Sequence, residues 1–427
     1  MLCNAIGCVG FSWMASPACT ELEMVVMNWL AEMLTLPERF KFGTPGTKGG
    51  GILQGSASEA TLVAILSARA KAIDKFLREN PGKTEDDVVT KLIAYSSEQA
   101  HTCGERAARL AGVKYRALKV DEAYSVDADL MAAAIEEDKA QGLVPFFFMA
   151  SFGTTSCCSF DDLELLGPLC KENDVWVHVD AAYAGAALAC PEFRPLMPGV
   201  DLCDSFTVNL AKWMLVTFDC SAFWMSDATW MSQKYNVDPL FLKHKHENSG
   251  IPDYRHWEIP LGRRFRSLKV WFVLRMYGVE GIRAHIRKHV RLAREFAGLV
   301  EADERFELTV PVRLGLVCFR LKSGGNEANE ALNSRVNERR NIHLTPARLG
   351  ETFTLRVAIC SRMAESADIV RAFEEICDVA SELEEEKEVI FATEKPRLAR
   401  KISNIFLEVE DSSKEFFQQF KENECCK

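Results

Sequence analysis

Between about residues 54 and 220, short apolar runs alternate with segments of helical spacing, and this alternation constrains the fold more than any other feature of the chain. Val144–Ala150 is one such run. Leu163, Leu166 and Cys170 follow at helical spacing, and Val175-Trp176-Val177-His178-Val179-Asp180 is the next apolar run. A repeated order of this kind predicts an α/β layer built on a mostly parallel sheet. Ligands in such sheets sit at the carboxyl ends of the strands, which makes the residues just after each run the first candidates for a site.

At 427 residues the chain exceeds the roughly 250–300 at which a single core stops growing, so a large and a smaller unit are expected. Upstream, a helix from Glu21 to Leu36 leads into the glycine-rich loop 42–51. Gln54-Gly55-Ser56-Ala57-Ser58-Glu59-Ala60 then caps a helix marked by Leu62, Ile65 and Leu66. Beyond Gly278, a long helix carries Ile282, Ile286, Val290 and Phe296. Strands at Phe306–Val310, Leu314–Leu321 and Phe353–Cys360 follow, then a helix with Ile369, Phe373, Ile376 and Val379. The expected division is a large unit over 1–277, a smaller α+β unit over 278–385 and a charged, solvated tail over 386–427.

The formal charge of −10 leaves no basic footprint for nucleic acid or an anionic membrane surface. Small metabolites or protein partners are the better class of partner. The 15 cysteines are scattered and lack the CxxC pairs and histidine spacing of zinc sites, so reduced thiols and a cytoplasmic location are expected. The apolar run from Met1 to Cys19 has no basic leader and contains Asn4, Ser12 and Trp13. It reads as core structure rather than a signal peptide. No apolar stretch reaches the roughly 18–20 residues that span a bilayer.

Four places could carry chemistry. Asp180 closes an apolar strand and is followed by Ala181-Ala182-Tyr183-Ala184-Gly185, small residues beside which a flat ligand can lie. Its carboxylate could keep a pyridinium nitrogen protonated, or could cap the next helix. Lys212 follows a strand expected at Asp204–Val208 in Asn209-Leu210-Ala211-Lys212-Trp213. It could be an imine-forming amine, although this segment alone favours a surface lysine. The Gln54–Ala60 segment offers hydroxyls and free N–H groups at a helix start, a common phosphate seat, without the motifs of a P-loop or a dinucleotide fold. His101 is either a core histidine, the favoured reading by itself, or a ring that stacks on a planar ligand.

The strings QGSASEATLVA, YSSEQAH, GTTSCCSFDDL, VHVDAAYAG, DYRHWEIPLGRRFRSLKVWFVLRMYGVEG and GLVCFRLK occur in this order. Together they closely resemble animal aromatic L-amino-acid decarboxylases from Met1 to about residue 385. The resemblance implies an aspartate-aminotransferase-type α/β fold, a mostly parallel seven-stranded sheet with a smaller C-terminal α+β unit, and a homodimer. It implies pyridoxal 5'-phosphate as cofactor, carried as a Schiff base on Lys212, with Asp180 at the pyridinium nitrogen. His101 and Ala182 would sandwich the ring. Ala57, Ser58 and Asn209 would hold the phosphate, and Thr155 would lie near the ring oxygen. Val9 and Phe11 match positions that line the substrate pocket across the dimer interface. Gly262 matches the branch acting on aromatic substrates, of the DOPA, tyrosine or tryptophan type, where histidine decarboxylases carry serine. The implied reaction is decarboxylation to the amine and carbon dioxide.

Three departures from the family pattern stand out. Relatives carry a segment upstream of the position matching Met1 that packs across the dimer and contributes to the pocket. The family's Asn-Pro-His-Lys is Asn209-Leu210-Ala211-Lys212 here, and Phe241 stands in the loop 237–244 where decarboxylases carry a tyrosine that donates a proton. Loss of that proton donor brings in a second reading, an aromatic aldehyde synthase that decarboxylates and oxidatively deaminates. The retained His101 argues against it, because insect aldehyde synthases commonly replace that residue. A third reading is a catalytically silent PLP-binding paralogue, on account of the upstream segment and Ala211.

Overall fold

The computed structural model describes residues 2–235 and 251–386. Its larger sheet contains β1 (Gly50–Gln54), β2 (Leu92–Ser97), β3 (Lys114–Leu118), β4 (Val144–Ser151), β5 (Trp176–Asp180), β6 (Ser205–Asn209) and β7 (Ser221–Met225), in the order β1-β7-β6-β5-β4-β2-β3. The five strands β2 to β6 pair in parallel, and β7 runs antiparallel to both of its neighbours. The expected α/β architecture with seven strands is the one observed.

Each face of this sheet has its own core. Ile93, Tyr95, Phe148, Ala150, Val177, Val179, Phe206 and Val208 belong to one, while Leu92, Ala94, Phe147, Met149, Trp176 and Phe223 belong to the other. The two-residue period of a strand sends alternate side chains to opposite cores. Where both faces are covered, as at β4 and β5, the strands read as nearly unbroken apolar runs. The helices Ala57–Glu79 and Cys103–Leu110 cover the second face through Val63, Ala64, Ile65 and Ala107. Asp180 shares its parity with Trp176 and His178 and so lies on that second face.

Register brings the strand ends level. Gln54 pairs with Ser221 and Ser221 with Asn209, so β1 and β6 finish level with each other on either side of β7. Ser151 pairs with Asp180, and Asp180 with Thr207. The segments that follow β1, β4, β5 and β6 therefore leave the sheet along one edge.

A second sheet, β8 (Phe306–Leu308), β9 (Leu316–Leu321), β10 (Thr345–Leu349) and β11 (Thr352–Ala358), is antiparallel in the order β10-β11-β9-β8. The helices Gly325–Arg339 and 366–386 pack on it. The long helix Arg266–Ala302 joins the two bodies and is broken at Gly278, whose φ of +64° only glycine adopts readily. Ile282, Ile286 and Val290 pack into the large core and Leu292, Phe296 and Val300 into the small one.

Three sequence expectations change. The first helix is Pro17–Met33 rather than Glu21 to Leu36, because Pro17 suits a helix's first turn. The strands near 306 and 316 are shorter than expected, and β10 was not foreseen: it is largely exposed and carries Pro346, so no apolar pattern marks it. The N-terminal run is mainly surface in this chain, with Leu2 58%, Val9 54% and Met14 51% exposed while Ser12 and Cys19 are buried. Its single helical turn, Leu2–Ala5, buries no residue.

Candidate functional site

Lys212 lies on the short helix Leu210–Trp213 directly after β6, with its side chain exposed. Asn209 starts that helix, its Oδ1 accepting from the Ala211 N–H at 3.0 Å, and its Nδ2 donates to no other described residue. The Asn209 N–H donates to the Ala182 carbonyl at 3.0 Å, which ties the segment after β6 to the segment after β5.

Asp180 ends β5 half-buried. Its Oδ1 accepts from the Ala182 N–H at 3.0 Å, while Oδ2 has the Cys103 thiol 3.9 Å away. No α-helix follows it. The chain turns into the 3-10 segment Ala184–Ala189, so the helix-cap alternative for Asp180 falls away. Burial pushes the Cys103 thiol up to about 12, with Asp180 adding to the rise and Lys212 opposing it. One sulfur thus feels both charges, and the amine and the carboxylate share a neighbourhood.

His178, two residues before Asp180 on the same face, is fully buried between Phe147 and Phe223. Its Nδ1 lies 2.9 Å from Ser205 Oγ, which accepts from Trp176 Nε1 at 2.9 Å. An indole only donates, so the serine proton is left for Nδ1 and the neutral ring carries its own proton on Nε2. Burial holds this histidine down to about 4 against the pull of Asp180. Sequence reading did not single out His178, although its parity with Asp180 in an apolar run was the available signal.

The helix Ala57–Glu79 begins beside these groups. Ser56 Oγ accepts from the Glu59 N–H at 3.1 Å, and Glu59 reaches back to accept from the Gly55 N–H at 3.0 Å. This reciprocal cap leaves the first-turn N–H groups of Ala57 and Ser58 without intrahelical acceptors. His101 follows β2, exposed, with Nδ1 accepting from the Cys103 N–H at 3.1 Å. Thr155, also exposed, follows β4, and its neighbour Ser156 donates to Gln99 Oε1 at 2.8 Å, which joins the two loops.

The segment carrying Val9 and Phe11 runs beside the segment 255–263 that carries Gly262. A Cβ on Gly10 would lie 3.7 Å from both Cβ and the carbonyl oxygen of Arg263, and the Phe11 carbonyl accepts from the Arg255 N–H at 3.0 Å. Arg263 itself is buried between Glu23 at 2.6 Å and Glu258 at 2.5 Å, an ion cluster the sequence did not reveal. Phe241 lies outside the described residues.

These groups suit one kind of ligand. A helix start with free N–H groups takes a phosphate, a carboxylate with an unfilled acceptor takes a ring N–H, and an exposed primary amine takes an aldehyde. Pyridoxal phosphate presents all three functions, and Ala57, Ser58, Asn209, Asp180 and Lys212 are the residues that would hold it.

Comparison with known proteins agrees with that fit. The pyridoxal-dependent decarboxylase conserved domain matches residues 1–322. The aromatic-L-amino-acid decarboxylase of Mus musculus is 56% identical over 390 residues, covering 91% of this chain and 81% of the mouse protein. Among solved structures, Oryza sativa TDC with PLP and tryptamine superposes with a TM-score of 0.85 at 35% identity, covering 90% of this chain and 80% of that one. Rhodiola rosea 4-hydroxyphenylacetaldehyde synthase gives a TM-score of 0.81 at 35% identity, over 89% of this chain and 79% of that one.

Proposed function

The chain belongs to the pyridoxal-dependent decarboxylase family, and from that premise we propose that it removes carbon dioxide from aromatic L-amino acids of the DOPA, tyrosine or tryptophan type. The observation that carries this reading is the meeting of Lys212, Asp180 and the Ala57–Ser58 helix start along one edge of the sheet. When bound, pyridoxal phosphate supplies the electron sink that accepts the pair left by departing carbon dioxide.

The rest is work for this chain's own residues. Lys212 Nζ would hold the cofactor, and its place there would pass to the substrate amine. Asp180 would keep a proton on the ring nitrogen. The N–H groups of Ala57 and Ser58 and the amide of Asn209 would bind the phosphate, and His101 and Ala182 would pack against the planar ring. Thr155 would contact the ring oxygen, and Val9, Phe11 and Gly262 would bound the substrate. Orienting the carboxylate that leaves is the main demand on such a site. We assign the enzyme to the cytoplasm and to a homodimer; the exposed Leu2, Ile6, Val9 and Met14 support the dimer.

The reading is tested by following carbon dioxide and amine from DOPA, tyrosine and tryptophan with pyridoxal phosphate present. Turnover abolished by Lys212→Ala supports it, and none above that variant's background sinks it. A second reading, in which dioxygen takes two electrons and becomes peroxide while water releases an aldehyde and ammonia, is favoured by Phe241 alone. Its side chain has no proton to give where a tyrosine would donate one. Amine formed without peroxide would eliminate this alternative.

A further inference from the structure

We propose that Tyr183 and Trp213 are positioning residues that hold Lys212 in register with Asp180, and that His289 and Gly315 set them from outside the larger sheet. The proposal rests on the functional reading of Lys212 and Asp180 given above. The β5–β6 ladder ends at Asp180 opposite Thr207. Past that point the Ala181–Thr207 and Asn209–Ala182 backbone bonds and one ring stack hold the two segments together. Tyr183 follows Ala182 and Trp213 follows Lys212, and their rings stack with centroids 4.7 Å apart at 17°.

Both rings are gripped from beyond the sheet. Trp213 Nε1 donates to His289 Nδ1 at 2.8 Å, and His289 Nε2 sits 3.0 Å from the Ser361 carbonyl. A carbonyl accepts and an indole donates, so each nitrogen of a neutral imidazole has its one complementary partner. Trp213 is 1% exposed and His289 0%, which leaves no room for water to replace either bond. On the other ring, the Gly315 N–H donates to the Tyr183 hydroxyl at 3.1 Å. A Cβ on Gly315 would meet that hydroxyl at 2.8 Å, the Ile359 carbonyl at 3.2 Å and Trp213 Cζ2 at 3.5 Å. Gly315 and Ser361 flank the four-stranded sheet, so the spacing of amine and carboxylate is set by how that sheet docks. Neither Tyr183 nor Trp213 touches the reacting atoms in this account.

The experiment compares wild type, His289→Leu, His289→Gln and Gly315→Ala. In cofactor-free protein labelled with 5-fluorotryptophan, the Trp213 resonance is assigned by its loss in Trp213→Phe. In holoenzyme, cofactor release is followed by absorbance, and kcat and KM are measured. His289→Leu should move the Trp213 resonance, speed cofactor release about tenfold, as for one net hydrogen bond, and lower kcat with KM nearly unchanged. His289→Gln should recover both, because its amide accepts from the indole and donates to Ser361. Gly315→Ala should reproduce the defect with His289 in place.

The proposal is overturned if the glutamine variant is no better than leucine. It is equally overturned if leucine moves the resonance while release and kcat stay at wild type. Should the leucine variant fail to fold, wild-type cofactor release in Gly315→Ala overturns it as well. A Lys212→Ala protein with wild-type absorbance contradicts the functional reading instead, and the cofactor-free Trp213 comparison is unaffected by that result.

Discussion

Replacing His178 with asparagine should remove an acid-sensitive contribution to stability. The ring is fully buried and held down to about 4 from 6.5. Such a histidine takes up a proton more readily unfolded than folded, so stability present at neutral pH is lost as pH falls through about 6.5 toward about 4. At pH 5 the unfolded chain is almost wholly protonated at this site and the folded one barely so, which amounts to about 2 kcal/mol. Asparagine keeps a polar atom for Ser205 Oγ and cannot titrate. Its smaller volume costs a further ~1–2 kcal/mol, the same at both pH values. Urea unfolding of the cofactor-free protein near pH 7.5 and near pH 5 should show wild type losing about 2 kcal/mol more than the variant between the two conditions. An equal loss in both proteins would refute the reasoning, for it would mean that His178 charges in place, paired with Asp180.

Other substitutions follow from the same geometry. Ser56→Ala removes the Glu59 N–H acceptor and should cost about 1 kcal/mol, with pyridoxal phosphate affinity falling alongside; titration of the apoenzyme reads it. Arg263→Met leaves Glu23 and Glu258 facing each other without a cation and should cost ~3–5 kcal/mol, visible as a lowered melting temperature or loss of soluble protein. Phe241→Tyr restores a phenolic proton and should shift products toward amine wherever the parent enzyme releases aldehyde, measured as the ratio of amine to peroxide.

The larger sheet was legible because strands covered on both faces are largely apolar, and runs such as Val144–Ser151 and Trp176–Asp180 alternate with helices. Asp180 was legible for a related reason: a carboxylate that ends an apolar run sits where a sheet meets its ligand. Lys212 was not legible from its own neighbourhood. It is an exposed lysine on a single helical turn, and nothing local separates it from a surface residue until register brings the end of its strand level with Asp180. The Trp213–His289 bond joins residues 76 positions apart, beyond the reach of any local pattern. The Glu23–Arg263–Glu258 cluster was hidden because charged residues are ordinarily read as surface. β10 failed for the opposite reason, since an exposed edge strand with a proline carries no apolar period. The N-terminal run misled because apolar composition alone does not say which surface buries it.

The claim on which the rest depends is that Lys212 carries the cofactor. Borohydride reduction of the protein loaded with pyridoxal phosphate, followed by proteolysis and mass spectrometry, reads this directly. The account predicts one phosphopyridoxyl group, on the peptide containing Asn209-Leu210-Ala211-Lys212-Trp213, and its disappearance in Lys212→Ala. Label on a different lysine, or undiminished label in that variant, would contradict it.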